Sequence, residues 1–172
     1  MSELRTNRII PRDGLVSGAS GGVIQVVHFA LATGSTVTVN SSTFVDVLTA
    51  SITPTRSDSK ILVQVTSAPK TNGSSSNFQF GAQIQRGSTT IMYDNEYLQM
   101  NNGYAPNAFT GAYTVLDSPA SSSSLTYKFR CKEVSDGREL YFESSTDNTG
   151  NYYNKHTMTL MEISGYIIKR IY

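Results

Sequence analysis

Residues 125–132 read Leu-Thr-Tyr-Lys-Phe-Arg-Cys-Lys and carry the clearest signal for the fold class of the chain. Apolar and polar residues alternate along it, so in an extended chain the apolar side chains share one face and the polar ones share the other. Residues 78–85, Phe-Gln-Phe-Gly-Ala-Gln-Ile-Gln, repeat this alternation, with the glutamines on the outer face. Both stretches are therefore predicted to be antiparallel strands with one buried face.

Short segments of the same kind fill most of the chain. Further strands are predicted at 23–31, 43–53, 60–67, 89–94, 109–116, 138–144 and 157–163, with weaker ones near 36–39 and 97–100. Turn-forming residues separate them, and Asp136-Gly137 is the clearest tight-hairpin signal. Many short strands without helical periodicity predict an all-β chain, an antiparallel β-sandwich of the jelly-roll type.

Composition agrees with one β-rich domain and excludes several classes of function. The chain has 172 residues, enough for one domain with a sizeable core. Charged residues make up 16% of it and the net charge is +1, so no basic excess points to nucleic acid. The single cysteine, Cys131, rules out an internal disulfide. No apolar run approaches the ~20 residues of a membrane span, and we expect neither membrane insertion nor Sec-type export.

The first 21 residues differ from the rest and are interpreted as an arm. They contain arginines and aliphatic residues, followed by Pro11 and a glycine-rich hinge at 17–22. Such a segment can dock on a partner by adding a strand or by arginine–carboxylate bonds, and a disordered leader is the alternative. We therefore divide the chain into an attachment arm, 1–21, and a sandwich knob, 22–172. The residues predicted to attach the arm are Leu4, Arg5, Arg8, Ile9, Ile10 and Arg12.

The last predicted strand, residues 157–163, is apolar on both faces. Such a strand is either central in a sandwich or buried by a second subunit. Protection of open sheet edges and of this strand favours a homotrimer. Its candidate interface residues are Met158, Leu160, Met161 and Ile163. The apolar tail, 165–172, is expected to pack against the arm or across a subunit interface.

No catalytic or metal-binding constellation is evident. His28 and His156 lie far apart in the sequence and are expected to be structural. The glycine-rich hinge matches neither a nucleophile elbow nor a phosphate loop, and residues 147–151 are expected to be an asparagine-rich turn rather than a calcium loop. The glutamates are interpreted as solvated surface carboxylates rather than a glycosidase pair, namely Glu96, Glu133, Glu139, Glu143 and Glu162. We expect no enzymatic activity, no cofactor and no metal.

Tyrosines accompany asparagine and glutamine in two stretches that are predicted to be irregular, 92–107 and 148–155. This combination is typical of surfaces that bind sugars or proteins, and the alternative is that the rings line the ends of the sandwich. The candidates for outward recognition are Tyr93, Tyr97, Tyr104, Tyr152 and Tyr153.

Several motifs together resemble a known group of proteins. They comprise the opening Met-Ser-Glu-Leu-Arg-Thr-Asn-Arg-Ile-Ile-Pro-Arg-Asp-Gly with its glycine-rich hinge, and the segments 22–27, 44–47, 52–54, 57–63, 84–87, 90–91, 125–129 and 157–163. The chain resembles the small tail-fibre and virion-appendage proteins of tailed phages, notably those of marine bacteria and cyanobacteria. The resemblance implies a trimeric jelly-roll knob with an N-terminal arm that attaches to the particle. The group's long fibres carry a shaft before the knob, and this chain has no heptads or β-helix repeats that would form one.

These observations together predict a virion structural protein that is made in the host cytoplasm and is not an enzyme. Its predicted partners are two further copies of itself and other virion proteins, with a host surface glycan as a further candidate and with no nucleic acid or membrane. The alternatives are a capsid decoration or cement protein, a host-glycan-binding receptor module and, less favoured, a polysaccharide depolymerase.

Overall fold

The computed structural model describes residues 22–71, 78–100, 110–135, 139–144 and 156–164. This part of the chain is all β and contains no helix, so none that could cross a membrane. Its strands are β1 (Val23–Ala30), β2 (Thr36–Val39), β3 (Val45–Ile52), β4 (Lys60–Ser67), β5 (Lys70–Thr71), β6 (Phe78–Arg86), β7 (Thr89–Met100), β8 (Gly111–Asp117), β9 (Leu125–Ser135), β10 (Leu140–Glu143) and β11 (Thr157–Ile163). The predicted attachment arm, 1–21, lies outside the described residues.

The strands form two four-stranded sheets and one small sheet, all with antiparallel pairing. The front sheet has the order β1–β11–β4–β8, and the back sheet has the order β3–β9–β6–β7. A small sheet with the order β2–β10–β5 completes the structure. The predicted antiparallel β-sandwich is confirmed.

The core lies between the front and back sheets and follows from the alternation in the sequence. In β9, Tyr127, Phe129 and Cys131 are fully buried, as predicted from residues 125–132. On the front sheet, Val63 and Leu160 are fully buried cross-strand partners that belong to the same apolar cluster. Each large side chain removed from water in this way contributes about 1.5–3 kcal/mol.

The final strand, β11, is apolar on both faces because it is a central strand of the front sheet. Of the two explanations given for residues 157–163, a central position or burial by a second subunit, the first is therefore correct. It pairs with β1 on one side and β4 on the other. Met158 and Leu160 have no exposed surface, so the core of their own sandwich already covers them. The prediction that these two residues form a subunit interface is therefore wrong. Met161 and Ile163 alternate with them on the outer face and are only partly buried.

The tyrosine-containing stretch after residue 92 is not irregular at its start. A single strand, β7, runs from Thr89 to Met100 and joins the two short strands predicted at 89–94 and 97–100. It follows β6 through a tight turn in which Gly87 has a φ of +56°, a conformation that favours glycine. The prediction that residues 92–107 are irregular is thus wrong for residues 92–100. Residues 101–109 and the predicted hairpin turn at Asp136-Gly137 lie outside the described residues.

The edge strand β1 carries a β-bulge at its start. Val23 pairs with Ile163 and Gln25 pairs with Glu162, so Ile24 is an extra residue that has no partner of its own. Bulges of this kind twist an edge strand and discourage unspecific pairing along it. The bulge leaves Val23 and Ile24 exposed at the corner where β11 ends.

Candidate functional site

An apolar row crosses the whole outer face of the front sheet. Val26 on β1 pairs with Met161 on β11, Met161 pairs with Leu62 on β4, and Leu62 pairs with Leu116 on β8. Directly paired side chains on one face of a sheet are in contact range, so these four residues form a continuous stripe. Its two ends are the most open, with Val26 55% and Leu116 58% exposed. We call these four residues the apolar row.

The apolar row borders further apolar residues on one side and polar residues on the other. At the bulged corner, Val23 and Ile24 extend the apolar surface. On the other side the next paired row is polar, and its members are His28, Thr159, Gln64 and Thr114. In that row, Nδ1 of His28 lies 2.9 Å from Oγ1 of Thr159. The apolar surface is therefore a bounded stripe on a face that is otherwise polar.

A buried carboxylate lies beneath the apolar corner. Glu162 has no exposed surface, although it was predicted to be a solvated surface glutamate. Its Oε1 accepts hydrogen bonds from the hydroxyl of Ser59 (2.7 Å) and from both the backbone N–H and the hydroxyl of Thr55 (2.8 Å each). Its Oε2 accepts one from Nε2 of Gln25 at 2.6 Å. Burial by itself raises the pKa of Glu162, but these donors outweigh it and hold the pKa below the ordinary value.

This carboxylate ties together three separate parts of the chain. Gln25 belongs to β1, Glu162 belongs to β11, and Thr55 and Ser59 lie in the connection between β3 and β4. Nε2 of Gln25 also lies 2.7 Å from the backbone oxygen of Thr53 in that connection. These contacts, which we call the hub around Glu162, fix the corner at which β1 begins.

A second buried carboxylate joins the two large sheets. Asp117 on β8 accepts hydrogen bonds through Oδ2 from the hydroxyl of Tyr127 (2.7 Å) and from the guanidinium of Arg86 (2.6 Å). Its Oδ1 accepts one from the backbone N–H of Ser118. Burial and the adjacent carboxylate raise the pKa of Tyr127 far above its ordinary value, so the phenol stays a hydrogen-bond donor. Both carboxylate oxygens of Asp117 accept hydrogen bonds, and the bonds from Arg86 and Tyr127 hold the two sheets together.

His156 has a structural role in the core, which was the expected one. It is 1% exposed, and its ring contacts the ring of Phe142 edge-on. Nδ1 accepts a hydrogen bond from the backbone N–H of Ala68, and Nε2 lies 3.1 Å from the carbonyl oxygen of Glu143, to which it donates. The described residues contain no cluster of three histidine, cysteine or acidic side chains that could hold a metal ion.

The outer face of the back sheet carries an aromatic–cationic patch, formed by Phe44, Tyr93 and Lys132. The rings of Phe44 and Tyr93 meet edge-on with centroids 6.0 Å apart. Nζ of Lys132 lies 5.2 Å from the centroid of Phe44 and 5.7 Å from that of Tyr93. Tyr93 is 51% exposed, and its hydroxyl donates to Oδ1 of Asn95. An exposed ring beside a lysine is typical of a surface that binds a ligand.

A charged network orders the neighbouring part of the same face. Asp46 on β3 accepts from Nε of Arg130 and from Nζ of Lys128, both at 2.5 Å. Arg130 also donates to Oε1 of Gln85 and to the backbone oxygen of Phe44 at 3.0 Å. Burial raises the pKa of Asp46, but its two cationic neighbours outweigh this and lower the pKa. Each of the three guanidinium nitrogens of Arg130 thus donates a hydrogen bond, and the bond to the backbone oxygen of Phe44 positions that residue.

One buried polar atom on this face has no partner. Gln83 on β6 is 7% exposed, and its Nε2 donates to Oγ1 of Thr90 at 2.6 Å. Its Oε1 has no hydrogen-bond partner in the described part of the protein. Gln83 pairs across the sheet with Tyr93 on β7 and with Arg130 on β9. The predicted outward orientation is correct, but the side chain is covered rather than solvated.

Most residues of these two faces were not predicted as site residues. Of the candidate tyrosines, Tyr93 lies in the aromatic–cationic patch and the backbone of Tyr97 lies in β7, while Tyr104, Tyr152 and Tyr153 lie outside the described residues. The predicted attachment residues of the arm also lie outside the described residues, namely Leu4, Arg5, Arg8, Ile9, Ile10 and Arg12. The sequence did hold one signal for the apolar row, because Leu62 and Leu116 each interrupt the alternation of a strand next to core residues.

Comparisons with known proteins give no family for the chain. No family model matches it, and no curated protein matches it significantly. Among solved structures, it is similar to the VP2 subviral particle of infectious bursal disease virus, with a TM-score of 0.44 and 10% identity over 94% of this chain and 37% of that one. Chains of the T13 particle of this virus and of its Gx strain give TM-scores of 0.41 and 0.40 at 10% and 12% identity, covering 94% and 93% of this chain and 40% and 42% of theirs. The chain therefore spans well under half the length of these viral chains.

Proposed function

We propose that this protein is a structural protein of a virus particle, a short tail fibre or appendage of a tailed phage, and that it is not an enzyme. The resemblance of its motifs to tail-fibre and virion-appendage proteins supports the phage assignment. The antiparallel sandwich supports it as a rigid knob, since such a fold presents broad faces for assembly. The protein is made in the host cytoplasm and functions in the virion.

The observation that carries an assembly role is the apolar row. Its ends, Val26 and Leu116, are more than half exposed, and four aligned apolar side chains on one face form the kind of patch that a partner covers. The row itself contains no charge, and the net charge of the chain is only +1, so copies do not repel one another. The proposed occupant of this face is a second copy of the chain.

The proposed assembly is a homotrimer, and the number three comes from the resemblance. Three knobs that contact one another around an axis through their front sheets would cover the apolar row, which includes Met161, and also Ile163. These two residues are the part of the predicted interface that the core leaves on the outer face. The closed ring would also shelter the open edge of β1.

The proposed attachment element is the arm, through its arginines and aliphatic residues. The knob begins at Gly22, whose carbonyl accepts a hydrogen bond from the backbone N–H of Ser164 at 3.0 Å. Because the hub around Glu162 fixes this corner, a pull on the arm would be transmitted to the centre of the front sheet. The arm is proposed to bind another virion protein by strand addition or by arginine–carboxylate bonds.

The test is to label purified virus particles with the protein itself. The full chain, carrying a gold tag, is added to particles that lack it, and a chain without residues 1–20 serves as the control. We expect the full chain to bind at the tail and the shortened chain to stay unbound. Uniform binding over the capsid would favour a decoration protein instead, and equal binding of both chains would contradict attachment by the arm.

A further inference from the structure

We infer that the aromatic–cationic patch on the back sheet, together with Gln83, is a binding site for an acidic oligosaccharide. The patch lies on the side of the sandwich opposite the apolar row, so the site is open in a monomer and in the proposed trimer. It is separate from assembly and adds a recognition role to the proposed structural one.

Lys132 supplies the charge that selects an anionic ligand. The other two cations that β9 presents on this face, Lys128 and Arg130, both pair with the single carboxylate of Asp46. Lys132 has no carboxylate within ion-pair distance in the described part of the chain, and its ammonium group lies between two aromatic rings. A ligand carboxylate that reaches this nitrogen gains a charge-assisted hydrogen bond without displacing an existing ion pair.

Gln83 supplies an acceptor that the fold leaves unused. More than nine-tenths of this residue is buried, and buried polar atoms in folded proteins nearly always have a partner. Its Nε2 is occupied by Thr90, so only Oε1 needs a donor. A sugar hydroxyl is such a donor. Oε1 itself is covered in this structure, so in the proposed site a sugar hydroxyl reaches it only after neighbouring side chains move.

Tyr93 supplies the apolar surface. Its ring is about half exposed and meets Phe44 edge-on, so it offers a flat apolar face to a ligand. The C–H face of a pyranose ring packs on such a surface, while amide groups bind its hydroxyls. Nucleic acid fits less well, because the chain has almost no net positive charge. An acidic peptide also offers a carboxylate to the lysine and N–H donors to Gln83, but it has no pyranose C–H face to pack on Tyr93.

The test is a nuclear magnetic resonance titration of the full, isotope-labelled chain. The probes are sialyllactose and trigalacturonate as acidic sugars, lactose and maltotriose as neutral ones, and hexaglutamate as an acidic peptide. We expect shifts for Phe44, Gln83, Tyr93 and Lys132 with at least one acidic sugar, and at least tenfold weaker binding of the neutral sugars. A response to hexaglutamate alone, an equal response to neutral sugars, or no response to any probe would overturn the inference.

Three variants then assign the contacts by calorimetry with the acidic sugar that binds. Tyr93→Ala and Lys132→Gln should each weaken binding about tenfold or more. Lys60→Gln is the matched control, because this lysine lies on the front sheet and donates to Ser118. It should bind as the parent does, and a loss equal to that of Lys132→Gln would mean that only overall charge matters.

Gln83→Met separates ligand recognition from a structural role. The change keeps the volume and removes the unpartnered acceptor together with the hydrogen bond to Thr90, whose exposed hydroxyl can bind water instead, so the fold should be about as stable as the parent. Sugar binding should nevertheless fall severalfold. Unchanged binding would exclude Gln83 from the site. Failure of all sugar binding would leave the oligomeric state and the arm experiment unaffected, so this inference and the proposed function fail separately.

Discussion

Tyr127 on the back sheet donates its hydroxyl to Asp117 on the front sheet across 2.7 Å, inside the sandwich. The contact joins the ends of two strands that are not neighbours in either sheet. It also completes the set of donors around a carboxylate that is 9% exposed. The two sheets are thus held in one relative position by a polar contact as well as by apolar packing.

Tyr127→Phe should therefore destabilise the fold. The change leaves one buried lone pair of Asp117 without a donor, which costs about 1–3 kcal/mol in unfolding free energy. Urea unfolding, followed by circular dichroism, measures it. Tyr93→Phe is the matched control, because it removes an exposed hydroxyl bond and should change stability by less than about 0.5 kcal/mol. Equal losses of unfolding free energy in the two variants would show that the buried hydrogen bond stabilises the fold no more than the exposed one.

Glu162 should make stability depend on acid pH. Its pKa in the folded protein lies below the ordinary value of 4.5, so its contribution is fully present above that value. The contribution is lost as the pH falls through the folded pKa. Glu162→Gln should cost about 3 kcal/mol at neutral pH, because Gln25 and Thr55 lose a charged acceptor.

The acid-pH effect is measured by urea unfolding from pH ~7 down to pH ~3. The gap in stability between the parent and Glu162→Gln should narrow as the pH falls. Asp58→Asn is the control, because Asp58 pairs with Arg56 on the surface. Arg56 also lowers the pKa of Asp58, but this pair is exposed and contributes little, so the gap for Asp58→Asn should change less with pH than the gap for Glu162→Gln. A constant gap for Glu162→Gln would disprove the assignment.

Cys131 should be unreactive in the folded protein. The thiol is fully buried, and burial raises its pKa well above the ordinary range, so little thiolate forms. A thiol reagent at about pH 8 should modify it only after urea is added. Rapid modification without urea would show that the core of the back sheet opens readily.

The apolar row should control self-association. Leu116→Asp places a charge at its most exposed position and should weaken association at least tenfold, with little effect on the fold of each copy. Thr89→Asp changes an exposed residue of the back sheet and is the control. Sedimentation velocity over a range of concentrations compares them. Identical behaviour of both variants and the parent would remove the row from the interface.

Most strands were predictable because each carries its own signal. Strands β2, β4 and β11 match the predicted bounds at every residue, since short runs rich in apolar residues and threonine are visible in the local sequence. β7 was divided in two because polar residues from Asp94 to Glu96 hide its continuity. β5, with two residues, is too short to show a pattern at all.

The surfaces were less predictable because they are assembled from distant segments. Leu62 and Leu116 become neighbours only through the register of β4 and β8. In the sequence, Glu162 cannot be distinguished from a surface glutamate, because its donors Gln25 and Ser59 are distant along the chain and come near it only in the fold. Gln83 continues the outward pattern of β6, and nothing in the local sequence shows that it will be covered.

The native mass of the full chain shows whether three copies assemble. Size-exclusion chromatography with light scattering at micromolar concentration should give three times the chain mass of 18.8 kDa. The proposed homotrimer requires this result. A single species of 18.8 kDa at every concentration would contradict it.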